Sequence, residues 1–387
     1  MAAATEQVPS TLASARPERF HKAWLFSART DAFAFVAPFV FAITLLALGK
    51  VLGVKSTPPW GFLLCVVMVD VAHVHGTLFR VYLDRAEVMR RPVLYLGAPP
   101  LAYALGVALH LYGGGLWFWR VLAYVAVWHF VRQQIGWVAL YRARAGETRD
   151  PERRLDAWLD PIATYAAALY PLLMWHTHLP RKFSWFVRGD FLPGMPVFVA
   201  TVARPLWLAT LVVFVARQAQ LAITRRGVNT GKVVVILTTY LLWWLGIVAM
   251  DQDWAFTVTN VLPHGIPYVV LIAAYSRRRY GDPEAPRASF ATYLVRSGFV
   301  LAYGFLVALA LVEEGFWDRL VWHDHEAIFG EGPLLSARAL AFLVPLLALP
   351  QAVHYFLDGR VWKRAENPDL GRYLGQVPKN ISSDVEK

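Results

Sequence analysis

Cysteine is almost missing from this chain: one residue, Cys65, occurs in 387. A single thiol excludes an intrachain disulfide, a CxxC redox pair, a cysteine zinc site and a thiolate-held iron–sulfur cluster. Any metal must then be held by nitrogen and oxygen donors. Charge is scarce as well, at 17% of residues, where soluble domains run near ~25%. Among the eleven histidines there is no HxxxH pair and no HxxHH box, which argues against the membrane desaturases and hydroxylases. Internal repeats, heptads and low-complexity tracts are also lacking, so neither a solenoid nor a coiled coil is expected. Residues 1–30 are polar and basic without the apolar core of a secretory signal, and the first span is expected to serve as signal anchor. The net charge of +11 invites a nucleic-acid reading. Its Lys and Arg, however, fall in short clusters between apolar runs, and no soluble domain remains to carry a binding face. No nucleic-acid partner is expected.

What the chain has is hydrophobic length, with 57% of residues hydrophobic. A hydrocarbon core of ~30 Å takes ~20 residues of helix. On that ruler about ten spans are expected, near 32–52, 60–81, 92–112, 115–140, 157–177, 196–216, 232–250, 254–275, 289–311 and 337–357. The pattern predicts an all-α, polytopic integral membrane helical bundle. It divides into a basic N-terminal segment (1–31), a transmembrane domain (32–358) and a polar tail (359–387). Basic clusters occupy every second connection, among them Arg85/Arg90/Arg91, Arg142/Arg144, Arg225/Arg226, Arg277/Arg278/Arg279 and Arg360/Lys363/Arg364. Both termini are accordingly expected in the cytoplasm, with the protein in a bacterial inner membrane. The intervening connections are short or acidic, and Glu313, Glu314, Asp318, Asp324, Glu326 and Glu331 read as a solvated outer loop. Trp60, Trp117, Trp119, Trp175, Trp254 and Trp322 should form an interfacial belt there.

Against this background five histidines stand out: His73, His75, His129, His264 and His354 lie inside apolar spans. An ionisable side chain in hydrocarbon is costly and marks a function or a paired polar network. By helix rise these five lie roughly 15–25 Å below the outer boundary. Each has polar companions at helical spacing: Asp70, Thr77, Arg80 and Asp84 with His73; Arg132, Gln133 and Gly136 with His129; Thr257, Asn260 and Tyr268 with His264; Gln351, Tyr355 and Asp358 with His354. His75 is turned about 200° from His73 on its helix, so one face presents both only if the helix is distorted near Gly76. Lipid cannot satisfy four polar stripes, which must therefore face protein or water.

Neutral imidazole is the commonest metal ligand among side chains, and a ligating imidazole is usually oriented by a carboxylate or amide. His73, His75, His129, His264 and His354 are thus candidate ligands. Asp70, Tyr355 and Asp358 are candidates for orienting them or relaying protons, and Arg132 and Gln133 for binding substrate. A histidine set with carboxylate support suits iron, zinc or copper. Bis-histidine haem b is a close variant. The pairs His176/His178 and His323/His325 have the HxH spacing of a zinc or copper site, but in exposed loops a solvated pair is the expected reading.

Taken together, DxxHxHGT from Asp70 to Thr77, WHxxRQQ from Trp128 to Gln134 and QxxHYxxDG from Gln351 to Gly359 resemble bacterial polytopic membrane proteins rich in intramembrane histidines. Over the same isolated helical segments the chain is similar to Brp/Blh-type carotenoid-cleaving membrane proteins. That resemblance implies an iron site built from histidines scattered over several spans. The leading expectation is an integral membrane metalloenzyme, iron-dependent and oxidative, acting on a membrane lipid or other lipophilic small molecule. The competing readings are a proton-linked transporter, a haem-binding protein and a non-catalytic membrane scaffold.

Overall fold

The computed structural model describes residues 24–282 and 289–374. Expectations that fall on the basic N-terminal segment before residue 24, and on the tail after residue 374, lie outside the described residues. Ten long helices follow one another: α1 (Ala28–Leu52), α2 (Pro59–Tyr82), α3 (Pro92–Gly113), α4 (Gly115–Arg144), α5 (Arg154–Thr177), α6 (Val197–Ile223), α7 (Thr230–Ala249), α8 (Asp253–Tyr280), α9 (Phe299–Trp322) and α10 (Ala337–Val361). Among the described residues there is no strand. Eight of the ten are long and apolar enough to cross a membrane; α4 and α5 match them in length but are less apolar. The chain is an all-α polytopic membrane bundle.

Burial sorts the helices. In α8, 78% of the apolar stretch is buried, whereas α3 and α6 bury 11%. α8 is therefore central, while α3 and α6 turn residues such as Leu101, Leu105, Leu206 and Val212 outward. A surface of that kind suits lipid and would be a liability in water. The contacts close a ring, with α8 against α2, α2 against α10, α10 against α4, α4 against α7 and α7 back against α8, while α9 packs on α2. Small residues permit the closest crossings. A side-chain carbon added at Gly265 on α8 would stand 2.6 Å from Val69 Cγ1 of α2, and one at Gly231 on α7 would enter the Tyr141 ring of α4. Glycine at such crossings lets helix backbones approach in lipid, where packing supplies the attraction between helices.

The two ends of the bundle are held differently. At the basic end ion pairs tie distant segments together: Arg279 to Asp84 at 2.7 Å, Arg80 to Glu87 at 3.3 Å and Arg217 to Asp156 at 2.8 Å. Lys232, fully buried on α7, places its ammonium 2.8 Å from both Glu147 and Asp160. Arg80 also donates to the Val361 carbonyl and to Asn367, so residues after α10 fold back onto this end, where Leu370 is buried. At the opposite end Trp119, Trp317 and Trp322 pack within 5.1–5.7 Å of one another, and Trp60 meets Trp254 at 5.2 Å. Asp251, in the connection between α7 and α8, accepts from Arg181 Nε at 2.9 Å and from the Lys182 amide at 2.8 Å. Burial pushes its carboxyl upward, but these two donors outweigh burial and hold it below the ordinary carboxylate value.

One span differs from its expected limits. The run 289–311 is not a single helix: Phe290–Arg296 forms a short helix capped by the Ser289 side chain, the chain breaks at Gly298 with φ 113°, and α9 starts at Phe299. A left-handed φ of this kind is open to glycine at little steric cost. Starting later, α9 also ends later, so Glu313, Glu314 and Asp318 lie within the helical span and are buried. The reading of these three as a solvated loop is corrected.

Candidate metal centre

Four of the five intramembrane histidines meet. His73 from α2, His129 from α4, His264 from α8 and His354 from α10 are each at most 4% exposed. Their rings form a closed circuit, with centroid separations of 4.7 Å (His73–His264), 5.1 Å (His264–His129), 4.7 Å (His129–His354) and 5.0 Å (His354–His73). Neighbouring rings are edge-on, at 66–87°. The arrangement follows from the packing of α2, α4, α8 and α10, each offering the histidine of its polar stripe to the same level.

The nitrogens at the centre lack protein partners. Both ring nitrogens of His73 and of His264, and Nε2 of His129 and His354, are buried without a hydrogen bond. Leaving such a group unsatisfied costs about 1–3 kcal/mol, so a cluster of them is stable only if something else completes it. One ligand atom from each of His73, His129 and His354 lies within 4.8 Å of the other two, and the same holds for Asp70, His73 and His264. Metal–imidazole bonds of ~2.0–2.1 Å require donors no more than about 4.2 Å apart. The donors of each of these two groups, at no more than 4.8 Å, exceed that limit by at most about 0.6 Å and fit a transition-metal ion.

Supporting groups hold the rings in place. Thr77 Oγ1 lies 2.9 Å from His354 Nδ1, which leaves Nε2 as the free donor atom of that ring. His129 Nδ1 faces Asp358 Oδ2 at 3.8 Å, and Asp358 is itself fixed by the Trp362 indole at 2.7 Å. Asp70 Oδ1 lies 3.6 Å from His73 Nδ1. Phe130 stacks on His264, with centroids 3.5 Å apart and planes 12° from parallel. Tyr355 packs 4.9 Å from His129, and Tyr268 lies 5.1 Å from His354 and 5.4 Å from His73. The carboxylates are not there to neutralise the neighbouring arginine on α2: Arg80 pairs with Glu87.

Other candidates lie elsewhere. His75 points away from the circuit and sets its Nε2 3.0 Å from Glu313 Oε2 of α9, as its opposed helical face requires. Gln351 and Trp317 donate to the other oxygen of that carboxylate. Arg132 is exposed, donates to the Tyr165 hydroxyl at 2.7 Å and lies over the Trp128 ring. It stands at the edge of its stripe, and its long stem carries the guanidinium outward, so it is not part of the histidine face. Gln133 is buried, with both amide atoms unpartnered. In the His176/His178 pair, His176 is satisfied on both nitrogens, by the Leu172 carbonyl at 2.7 Å and the Tyr124 hydroxyl at 2.9 Å. His325 stacks on Phe62 at 3.9 Å. Neither HxH pair forms a ligand group among the described residues. Sequence reasoning missed Glu313 and Phe130: the first was hidden by the displaced start of α9, and the second carries no polar signal. No protein-family model, curated protein or solved structure matches the chain.

Proposed function

We propose that the protein is an integral membrane metalloenzyme that uses iron at the four-histidine centre, with molecular oxygen as oxidant, to oxidise a lipophilic substrate reaching it from the bilayer. The observation that carries this reading is the convergence of four imidazoles from four helices with their inward nitrogens unpartnered. His73, His129, His264 and His354 would hold the ion, with Asp70 close enough to His73 and His264 to join them. Iron in such a site supplies one-electron chemistry and Lewis acidity that no side chain here provides. The chain's own residues supply the rest. Thr77 fixes the His354 ring, Asp358 and Asp70 orient His129 and His73, and Phe130 holds His264 against rotation. Tyr355 and Tyr268 place hydroxyl-bearing rings against the circuit, where they can hold a proton or hydrogen-bond a substrate oxygen.

A free ion fits better than haem. The four rings stand edge-on at 4.7–5.1 Å in one circuit, which leaves no flat slot between opposed imidazoles for a macrocycle. The test is elemental analysis and an optical spectrum of protein purified without chelator. Stoichiometric iron without a Soret band is expected. Alanine at any of the four histidines should empty the site, whereas His178→Ala and His325→Ala should leave it full. Wild-type protein free of transition metal, or four single variants that all retain it, would overturn the reading.

A further inference from the structure

A groove of about 880 Å³ lies between α1, α2, α8 and α9. That volume falls in the ~300–1,000 Å³ range of small-molecule sites. Its inner end is formed by His73 and Tyr268, so it reaches the histidine circuit. Apolar side chains such as Phe79 and Leu306 line its length, and Arg277 and Arg278 stand at its mouth. Both arginines are exposed. Arg372, which also borders the mouth, pairs with Asp282 at 2.9 Å, and Arg278 donates to the Tyr373 carbonyl at 3.3 Å. Among the described residues Arg277 has no acidic partner. One guanidinium with unspent donors beside a second that is partly used matches a single carboxylate, which the planar fork of arginine binds in bidentate fashion.

We propose that this groove binds one long-chain carboxylate, head group on Arg277 and Arg278 and chain running inward to His73. Three observations combine: a mouth bordered by arginines, an apolar wall and an inner end at the candidate metal centre. Length sets the register. Tyr268 and Arg277 are nine residues apart on α8, about 14 Å by helix rise. An extended chain advances about 1.2 Å per bond, so the carbon beside His73 lies roughly a dozen bonds from the carboxyl group. A basic cluster that only set membrane topology would need no groove beneath it. The binding claim stands on the groove alone; that the bound chain is also the substrate rests on the metalloenzyme reading.

The test is displacement of a fluorescent fatty acid from the detergent-solubilised, purified protein by palmitate, by methyl palmitate and by lysophosphatidate, with metal content measured in the same samples. Palmitate is expected to displace the probe at about tenfold lower concentration than its uncharged ester, the difference that one charge-assisted pair makes. Arg277→Gln/Arg278→Gln should abolish that preference without changing metal content, and Arg277→Lys/Arg278→Lys should restore part of it. Ala302→Phe, which narrows the groove and leaves both arginines in place, should weaken acid and ester alike. Equal displacement by acid and ester, unchanged affinity in the glutamine variant, or displacement by lysophosphatidate alone would overturn the proposal. Absence of metal with palmitate binding intact would sink the metalloenzyme reading and leave the groove assignment standing.

Discussion

Thr77 and His354 stand 277 positions apart in the chain, yet their side chains meet at 2.9 Å in the middle of the bundle. The hydroxyl occupies Nδ1 of His354 and so commits that ring to offering Nε2. Removing such an orienting partner typically costs ~10–100-fold in metal affinity. Thr77→Val, which keeps the shape and deletes the hydroxyl, is expected to weaken metal binding by about that factor while leaving the helical content unchanged. Chelator competition followed by elemental analysis measures it. An unaltered affinity would show that the hydroxyl does not orient the ring.

Lys232 is buried between Glu147 and Asp160, and Arg142 adds a second cation 3.2 Å from Asp160. Lys232→Met leaves two buried carboxylates facing one guanidinium. Breaking a buried pair in this way costs about 3–5 kcal/mol. A clear loss of thermal stability is expected in a detergent melt. The centre is built from α2, α4, α8 and α10 rather than α7, so the folded fraction should keep its metal.

The Arg181–Asp251 pair makes a pH signature. Because the folded-state carboxyl is held below its ordinary value of 3.8, its contribution to stability is present at neutral pH and is lost as pH falls through the folded value. Wild type should therefore melt above Asp251→Asn at pH 7, and the gap should close well below pH 3.8. A difference that persists in acid would mean that the residue acts by shape instead of charge. The pair is partly solvated, so the effect is expected to be small.

Gly265 follows His264 and lies against the backbone of Val69, four residues before His73. Gly265→Val would push α8 from α2 where two of the four rings are anchored. Overpacking of this kind costs about 1–3 kcal/mol. It should also lower metal occupancy, because displacement here separates His73 from His264. Gly304→Ala, at a position on α9 with open space, is the control and should change neither quantity.

Orientation is open to direct measurement. Reporter fusions after Arg91, Arg226 and Arg279 should behave as cytoplasmic, and those near Gly114 and Asp251 as exported, if basic connections face inward. The inverse pattern would place the mouth at Arg277 and Arg278 on the outer face.

The bundle was legible in the sequence because spacing in hydrocarbon is coarse and unforgiving: a run of ~20 apolar residues has few alternatives to a spanning helix. The histidine stripes were legible for the same reason, since periodicity places His264 and Tyr268 on one face whatever surrounds them. Periodicity on a single helix does not say which stripes face each other. The meeting of His73 with His264, and of His129 with His354, depends on crossings set by Gly265 and by the packing of α2, α4, α8 and α10. Nor does it resolve the edges of a stripe, where Arg132 turns outward to Tyr165 while Gln133 stays buried. The late start of α9 was signalled by Gly298, but an apolar run passes through a single glycine without a visible break in hydropathy, and Glu313 was lost with it.

The fourth imidazole, His354, belongs to the last of the ten helices. A chain is made from its N-terminus at roughly 5–20 residues per second, so His73 and His129 enter the membrane well before the residue that closes their circuit. Until α10 docks, the ring has a gap where His354 and its Thr77 contact belong. Complete ion binding at this centre would therefore be a late event in the life of the polypeptide, and metal occupancy in a cell extract would count the molecules whose insertion has finished.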